Sequence, residues 1–196
     1  MTDRTGGSTH PSTPAALHTA RLVVRPITGA DLDVIVRVHT DPELMRHIHS
    51  GVPRPLEACP DDLAAALAQW DTDGFGPLVV EFADRTLVGT VGFGRPTWCA
   101  EAVGTPDVGW TILHAYQRQG FATEAAASAI DWFFGAELDD RLVGIHNTTN
   151  PRSGAVMQRL GMRWVRQCTH PEFGYPIELW ELARASWRRD RPPGVG

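Results

Sequence analysis

The residues best placed to do chemistry lie between positions 108 and 122, in the run V-G-W-T-I-L-H-A-Y-Q-R-Q-G-F-A. An apolar, strand-like stretch enters Gln117-Arg118-Gln119-Gly120-Phe121-Ala122, and a helical apolar stripe follows. The first amides of a helix have no partner inside it and stand at the positive end of its dipole. A turn of this kind is an anion site, suited to a phosphate or pyrophosphate. Gly120 lets the backbone approach a ligand closely, and Ala122 keeps the next turn small. Each amide-to-phosphate bond contributes about 1.5–3 kcal/mol, so several can hold a pyrophosphate without a lysine. Taken alone, the same residues are also ordinary turn chemistry at a helix start. The spacing is neither G-x-G-x-x-G nor G-x-x-x-x-G-K-[ST], which removes the main support for dinucleotide and P-loop sites.

Other residues offer less. No G-x-S-x-G marks a covalent nucleophile. Glu124 falls in the first helical turn, where a dipole or capping role suits it. His146 ends a strand and is either a titrating group or a core histidine. His47-x-His49 has a spacing that could hold a metal on a strand, but no third ligand is near it in sequence, so no metal is expected. Arg118 and Arg152 are the cations nearest the turn, each either a ligand contact or a surface residue.

These residues need elements to hold them. Residues 20–25 alternate apolar and charged side chains and read as a strand, followed by a helix opened by Thr28 or Asp31. A short helix begins at Asp41-Pro42, and a third runs from Asp61 to Trp70 after a proline-rich loop at 50–60. Strands are expected at 78–82 and 86–93, joined as a hairpin, and at 108–113. Helix 122–134, strand 141–147, helix 152–160 with Gly161 behind it, and strands 162–168 and 177–183 complete the order. Three consecutive strands exclude a purely doubly wound sheet, so the fold class is a mixed α/β sheet of about seven strands flanked by helices. Residues 1–16 read as a disordered tail, 17–187 as one domain and 188–196 as a second tail, the chain being tail-like from Ala185 onward.

Composition sets the bounds. The 196 residues suffice for one core, and 42% hydrophobic with 21% charged side chains fits a globular protein. A net charge of −5 gives no basic footprint for nucleic acid and hints weakly at cationic substrates. All 18 positive side chains are arginine, so no lysine is there for a Schiff base. Cys59, Cys99 and Cys168 are far apart and odd in number, which favours a reducing compartment. With no membrane-length apolar run and no apolar signal region, a cytoplasmic protein without a membrane partner is expected.

Four segments in order resemble the GNAT superfamily of N-acyltransferases, in its Rim-type (ribosomal-protein N-acetyltransferase-like) branch. They are T-A-R-L-V-V-R-P-I-T-x-x-D from Thr19, L-V-G-T-V-G-F from Leu87, D-V-G-W-T-I-L-H-A-Y-Q-R-Q-G-F-A-T-E-A from Asp107, and N-x-x-S-x-x-V-M-Q-R-L-G-M from Asn150. The resemblance spans about residues 17–187. It implies the GNAT fold, with a central sheet that splays between the strands at 109–113 and 141–147. It implies acetyl-CoA as cosubstrate, with a pyrophosphate loop on Gln117, Gly120 and Ala122 and binding amides at Arg118, Gln119, Gly120, Ala122 and Thr123, Phe121 lying between them. Pantetheine is expected along Trp110, Thr111, Ile112 and Leu113 as an added strand, with an amide near residues 110–112 polarising the thioester carbonyl. Asn150 is implied as a ligand of the pantetheine amide and Ser153 as its neighbour.

The implied reaction is attack of a primary amine on the thioester in a ternary complex, without an acyl-enzyme. Ser153 is the first candidate for the proton donor, or else it serves the helix start with Asn150; Tyr175 is a weaker one. Asp107 is the first candidate for the base, through a water, since it is one methylene shorter than the Glu common in that branch; the other reading is a strand-end carboxylate in solvent. The acceptor is a protein N-terminus or a small amine, and Met45 to His49 and Trp98 are placed on its side. A larger acyl donor, a homodimer, and a non-catalytic CoA-binding sensor on the same fold stay open.

Overall fold

The computed structural model describes residues 13–190. Expectations for residues 1–12 and 191–196 lie outside the described residues. An eight-stranded sheet runs in the order β1-β2-β3-β4-β5-β6-β8-β7. Its strands are β1 (Leu17–His18), β2 (Val23–Pro26), β3 (Pro77–Glu81), β4 (Leu87–Gly94), β5 (Asp107–Ile112), β6 (Arg141–Asn147), β7 (Arg163–Thr169) and β8 (Pro176–Ala183). The helices are α1 (Leu32–His39), α2 (Pro42–Met45), α3 (Cys59–Asp73), α4 (Phe121–Gly135), α5 (Pro151–Arg159) and α6 (Arg184–Asp190). All pairings are antiparallel except β5 with β6. The mixed α/β fold expected from the resemblance is therefore present. Among the described residues no helix is long and apolar enough to cross a membrane.

Three differences from the sequence reading have local causes. The sheet has eight strands rather than seven, because Leu17–His18 pairs with Val23 and Val24. Residues 20–22 belong to the turn of that hairpin, not to a strand: the Thr19 amide donates to the Leu22 carbonyl (3.0 Å) and the Leu22 amide to the Thr19 hydroxyl (2.9 Å). Residues 184–190 form α6 instead of the start of a tail. Trp187 is buried there and its indole N–H donates to Asp131 at 2.8 Å.

Register decides which side chains share a face. Phe93 pairs with Val108 and Val91 with Trp110, so these residues and Ile112 face the same way. They meet α4, where Phe133 stacks on Phe93 with centroids 4.6 Å apart. Ala125, Ala126, Ala127 and Ala129 are fully buried, and their small size lets α4 lie close to the sheet. Gly94, Asp107, Gly109 and Thr111 point to the opposite face. At the start of α1, Arg25 donates to both Asp31 and Glu81. Burial opposes the ionisation of Asp31, but hydrogen bonds from Arg25 and Thr28 outweigh it and hold its carboxyl at about 2.

Candidate active site

β5 and β6 are joined at one point. Asp107 pairs with Val143, the Val143 amide donates to the Pro106 carbonyl at 2.9 Å, and no further register is shared. Beyond it the strands part, and a cavity of about 750 Å³ opens beside β5, the start of α4 and the start of α5. An edge of β5 without a strand partner is a row of donors and acceptors for an extended ligand.

The turn into α4 is built as its residue types require. Gly120 is the residue before the helix and takes φ +85°, a left-handed conformation that glycine adopts without steric cost. Arg118 also has positive φ, +63°. The helical ladder begins with the Glu124 amide donating to the Gly120 carbonyl at 3.0 Å, so the amides of Phe121, Ala122 and Thr123 precede it. Glu124 itself is not among the residues that line the cavity. It accepts from the Thr19 hydroxyl (2.6 Å), the Arg21 amide (3.1 Å) and the Arg21 guanidinium (2.7 Å). Arg21 also donates to the Gln119 carbonyl at 3.0 Å and lies over the Phe121 ring. The β1–β2 turn thereby clasps the turn into α4 from behind, a contact between Arg21 and Glu124 across 103 residues that no local pattern announces.

Most of the sequence-expected residues come together. Trp110, Thr111, Ile112, Gln117, Arg118, Gly120, Phe121, Ala122, Thr123, Asn150 and Ser153 line the cavity. Leu113, Gln119 and Asp107 are not among its lining residues. The Leu113 amide is engaged with the Val88 carbonyl at 2.9 Å, and the Gln119 side chain donates to Ala115 at 2.9 Å. Gln117 braces the site internally: its amide nitrogen donates to the Ile112 carbonyl (3.0 Å) and its oxygen accepts from Arg152 (3.2 Å). That bridge ties the end of β5 to the start of α5. Asn150 precedes α5 and Ser153 lies in its first turn, with the Ser153 amide donating to the Asn150 carbonyl at 3.1 Å.

Asp107 stands at the strand junction on the face opposite Val108. Burial pushes its carboxyl up to about 6 against the hydrogen bonds from the Gly94 amide and its own. The next residue on that face is Gly109, over which the space is open.

The remaining candidates are placed as follows. His47 lines the cavity, its Nδ1 is 3.2 Å from the Thr149 hydroxyl, and burial followed by the Arg46 charge pulls its pKa down. Among the described residues, neither His47 nor His49 belongs to a cluster of three metal-ligating groups. The Tyr175 hydroxyl donates to the His49 carbonyl at 2.7 Å. Trp98 stacks on buried His170 at 4.3 Å, outside the cavity. His146 is buried beneath α5. Its Nδ1 lies 2.8 Å from the Asn147 carbonyl, while Nε2 is 3.3 Å from Glu178 but off the hydrogen-bonding direction. Gly154 is the residue that leaves room for that ring.

Residues 21–163 match the acetyltransferase (GNAT) domain, and the chain belongs to that family. Proteins of this fold use acetyl-CoA. The uncharacterized N-acetyltransferase YoaA of Bacillus subtilis (strain 168) is 24% identical over 148 residues, which cover 75% of this chain and 82% of YoaA. Among solved structures, Mycobacterium smegmatis RimJ in complex with CoA-disulfide superposes with a TM-score of 0.75 at 19% identity, covering 90% of this chain and 91% of RimJ. The ribosomal-protein-S5-alanine acetyltransferase of Vibrio fischeri gives 0.69 at 18% identity, covering 89% and 99%. The structural neighbours thus include Rim-type ribosomal-protein acetyltransferases.

Proposed function

We propose that the protein moves an acetyl group from acetyl-CoA to a primary amine, a protein N-terminus or a small molecule, by direct attack in a ternary complex. The parting of β5 from β6 beyond Asp107 and Val143, next to the unpartnered first amides of α4, carries this reading. The amides of Arg118, Gln119, Gly120, Ala122 and Thr123 bind the pyrophosphate, and the free edge of β5 takes the pantetheine through the backbone of Trp110 and Ile112, with Thr111 between them in the register that bonds β4. Leu113 drops out of the pantetheine set, because its amide is already engaged with β4. Asn150 binds the pantetheine amide from the start of α5.

The amine approaches over Gly109, on the face of β5 that also carries Asp107. Asp107 accepts the ammonium proton, through a water, and its raised pKa suits a base working near neutral pH. The freed amine adds to the thioester carbonyl, whose oxygen receives a hydrogen bond from an amide near residues 110–112. As the tetrahedral adduct collapses, the carbon–sulfur bond breaks, Ser153 supplies a proton to the departing thiolate and regains one from the nitrogen of the adduct, giving the amide, free CoA and a neutral serine.

A non-catalytic CoA sensor on this fold would need no desolvated carboxylate beside an open glycine, which is why the catalytic reading is preferred. The test is a panel of amines and N-terminal peptides incubated with acetyl-CoA, reading free thiol and acetylated product. Acceptor-dependent thiol release is expected. Tight CoA binding with no acetylated product across the panel would favour the sensor.

A further inference from the structure

Acetyl transfer as proposed leaves three chemistry-bearing side chains unused on the acceptor face. Cys99, Glu101 and Cys168 bring one ligand atom each to within 4.8 Å of one another. Cys99 and Glu101 come from the loop between β4 and β5, and Cys168 from β7. Register explains the meeting. Cys168 and Arg166 pair with Ile177 and Leu179 of β8, so both point to the face on which Leu179 packs with Cys99 and Ala102. Cys99 Sγ lies 3.7 Å from one Glu101 oxygen, and an Arg166 nitrogen lies 3.8 Å from the other. Cys99 is buried, Cys168 is half-buried and Glu101 reaches solvent, so the cluster is shielded yet has an entry side.

We infer that Cys99, Cys168 and Glu101 form a binding site for a thiophilic divalent cation such as zinc. Two sulfur ligands and a carboxylate match the donor preferences of zinc, and the tetrahedron keeps a fourth position for water. With zinc–sulfur bonds of about 2.3 Å the two sulfurs stand about 3.8 Å apart, so the observed cluster needs to close by an ångström or less. Binding expels the two thiol protons, and Arg166 balances the surplus negative charge. Arg166 also orients Glu101 by holding the oxygen the ion does not need. A disulfide would make no use of Glu101, which lies 3.7 Å from Cys99 Sγ and is held at its other oxygen by Arg166. The ion would pin the β4–β5 loop to β7. Cys99 and Ala102 pack on Val143, the residue paired with Asp107, so the brace steadies the acceptor wall without touching the reacting atoms.

The experiment uses the full chain, phosphine-reduced and stripped with a chelator, titrated with Co²⁺ alone. One ion per chain should bind with a thiolate-to-cobalt absorption band that Zn²⁺ bleaches. C168S should abolish the band, and R166Q should keep it while weakening binding about 10-fold. A His47→Ala/His49→Ala variant should bind as the parent does. If C168S fails to fold by circular dichroism, E101Q supplies the same reading through weaker binding and a shifted band. The inference is overturned if the reduced parent gives no band, or if the band survives in C99S and C168S. It is equally overturned if reduced protein ignores cobalt yet air oxidation links Cys99 to Cys168 by mass, which would make the pair a redox cross-link. None of these readouts depends on acetyl transfer, so this inference and the proposed function fail separately.

Discussion

The two walls of the β5 strand are made differently. On the α4 side, the proposed anion turn consists of main-chain amides, a glycine with φ +85° and a helix start, held from behind by Thr19 and Arg21 through Glu124. On the opposite side, where the amine is proposed to approach, stand individual side chains and loop tips: Asp107, the 46–51 loop tied by Tyr175 and Thr149, and the β4–β5 loop packed on Val143. Backbone groups do not change when side chains do, so the first wall can keep one ligand through extensive sequence divergence. The second wall can be rewritten one residue at a time.

The largest effect should come from breaking the backbone-built wall. Gly120→Glu forces a non-glycine residue into a left-handed turn, at about 1–2 kcal/mol, and puts a carboxylate in the anion site. CoA binding measured by calorimetry should fall about 1000-fold or vanish, since several charge-assisted bonds of about 1.5–3 kcal/mol are lost together. Gly120→Ala carries the strain without the charge and should lose about 30-fold at most. Equal losses in both variants would show that strain, not an anion site, governs the turn.

The next effects fall on the chemistry between the walls. Asp107→Asn should lower kcat about 100-fold or more and leave CoA affinity unchanged. In the parent, kcat/KM should fall as the pH drops below about 6, where the carboxyl takes up its proton, and this acidic limb should disappear in the variant. Stability offers a second reading. A carboxyl whose folded pKa is raised favours the fold fully below its ordinary value of 3.8, and that contribution is lost as the pH rises through about 6. The asparagine variant should therefore gain in thermal midpoint relative to the parent above pH 6. An unaltered rate limb would move the base role elsewhere. Ser153→Ala should slow turnover about 10-fold to 100-fold with little change in CoA affinity; parental turnover would leave Ser153 as a helix-start residue.

The same contrast governs what could be read from the sequence. The strand-to-helix passage at 108–122 was legible because it is a local pattern: alternation, then a glycine, then a helical stripe. The Asn150–Ser153 turn was legible for the same reason. The clasp of Thr19 and Arg21 on Glu124 and the Gln117–Arg152 bridge were not, because each joins segments far apart in the chain. The C-terminal α6 was hidden by its arginines, which resemble a solvated tail until Trp187 is seen buried against α4 through Asp131. Cys99 and Cys168 looked unrelated for want of the β7–β8 register. Asp107 was found by its position in a motif, yet its half-buried seat at the one β5–β6 pair, which sets its proton affinity, is a property of the assembled sheet.

The finest test separates the walls at a single residue. Gly109 lies on the Asp107 face of β5, has ordinary negative φ, and a Cβ built on it meets nothing within 4 Å. Gly109→Val should therefore fold, and its β-branched side chain suits a strand. It would stand where the amine is proposed to pass, while the β5 edge and the anion turn are untouched. The expected outcome is a rise of about 10-fold in the KM for amine, a loss of about 1.4 kcal/mol in acceptor binding, with the KM for acetyl-CoA within about two-fold of the parent. If the acetyl-CoA constant rises instead, the two ligands do not lie on opposite sides of β5. A circular-dichroism spectrum and thermal midpoint matching the parent would separate this effect on the acceptor from any loss of fold.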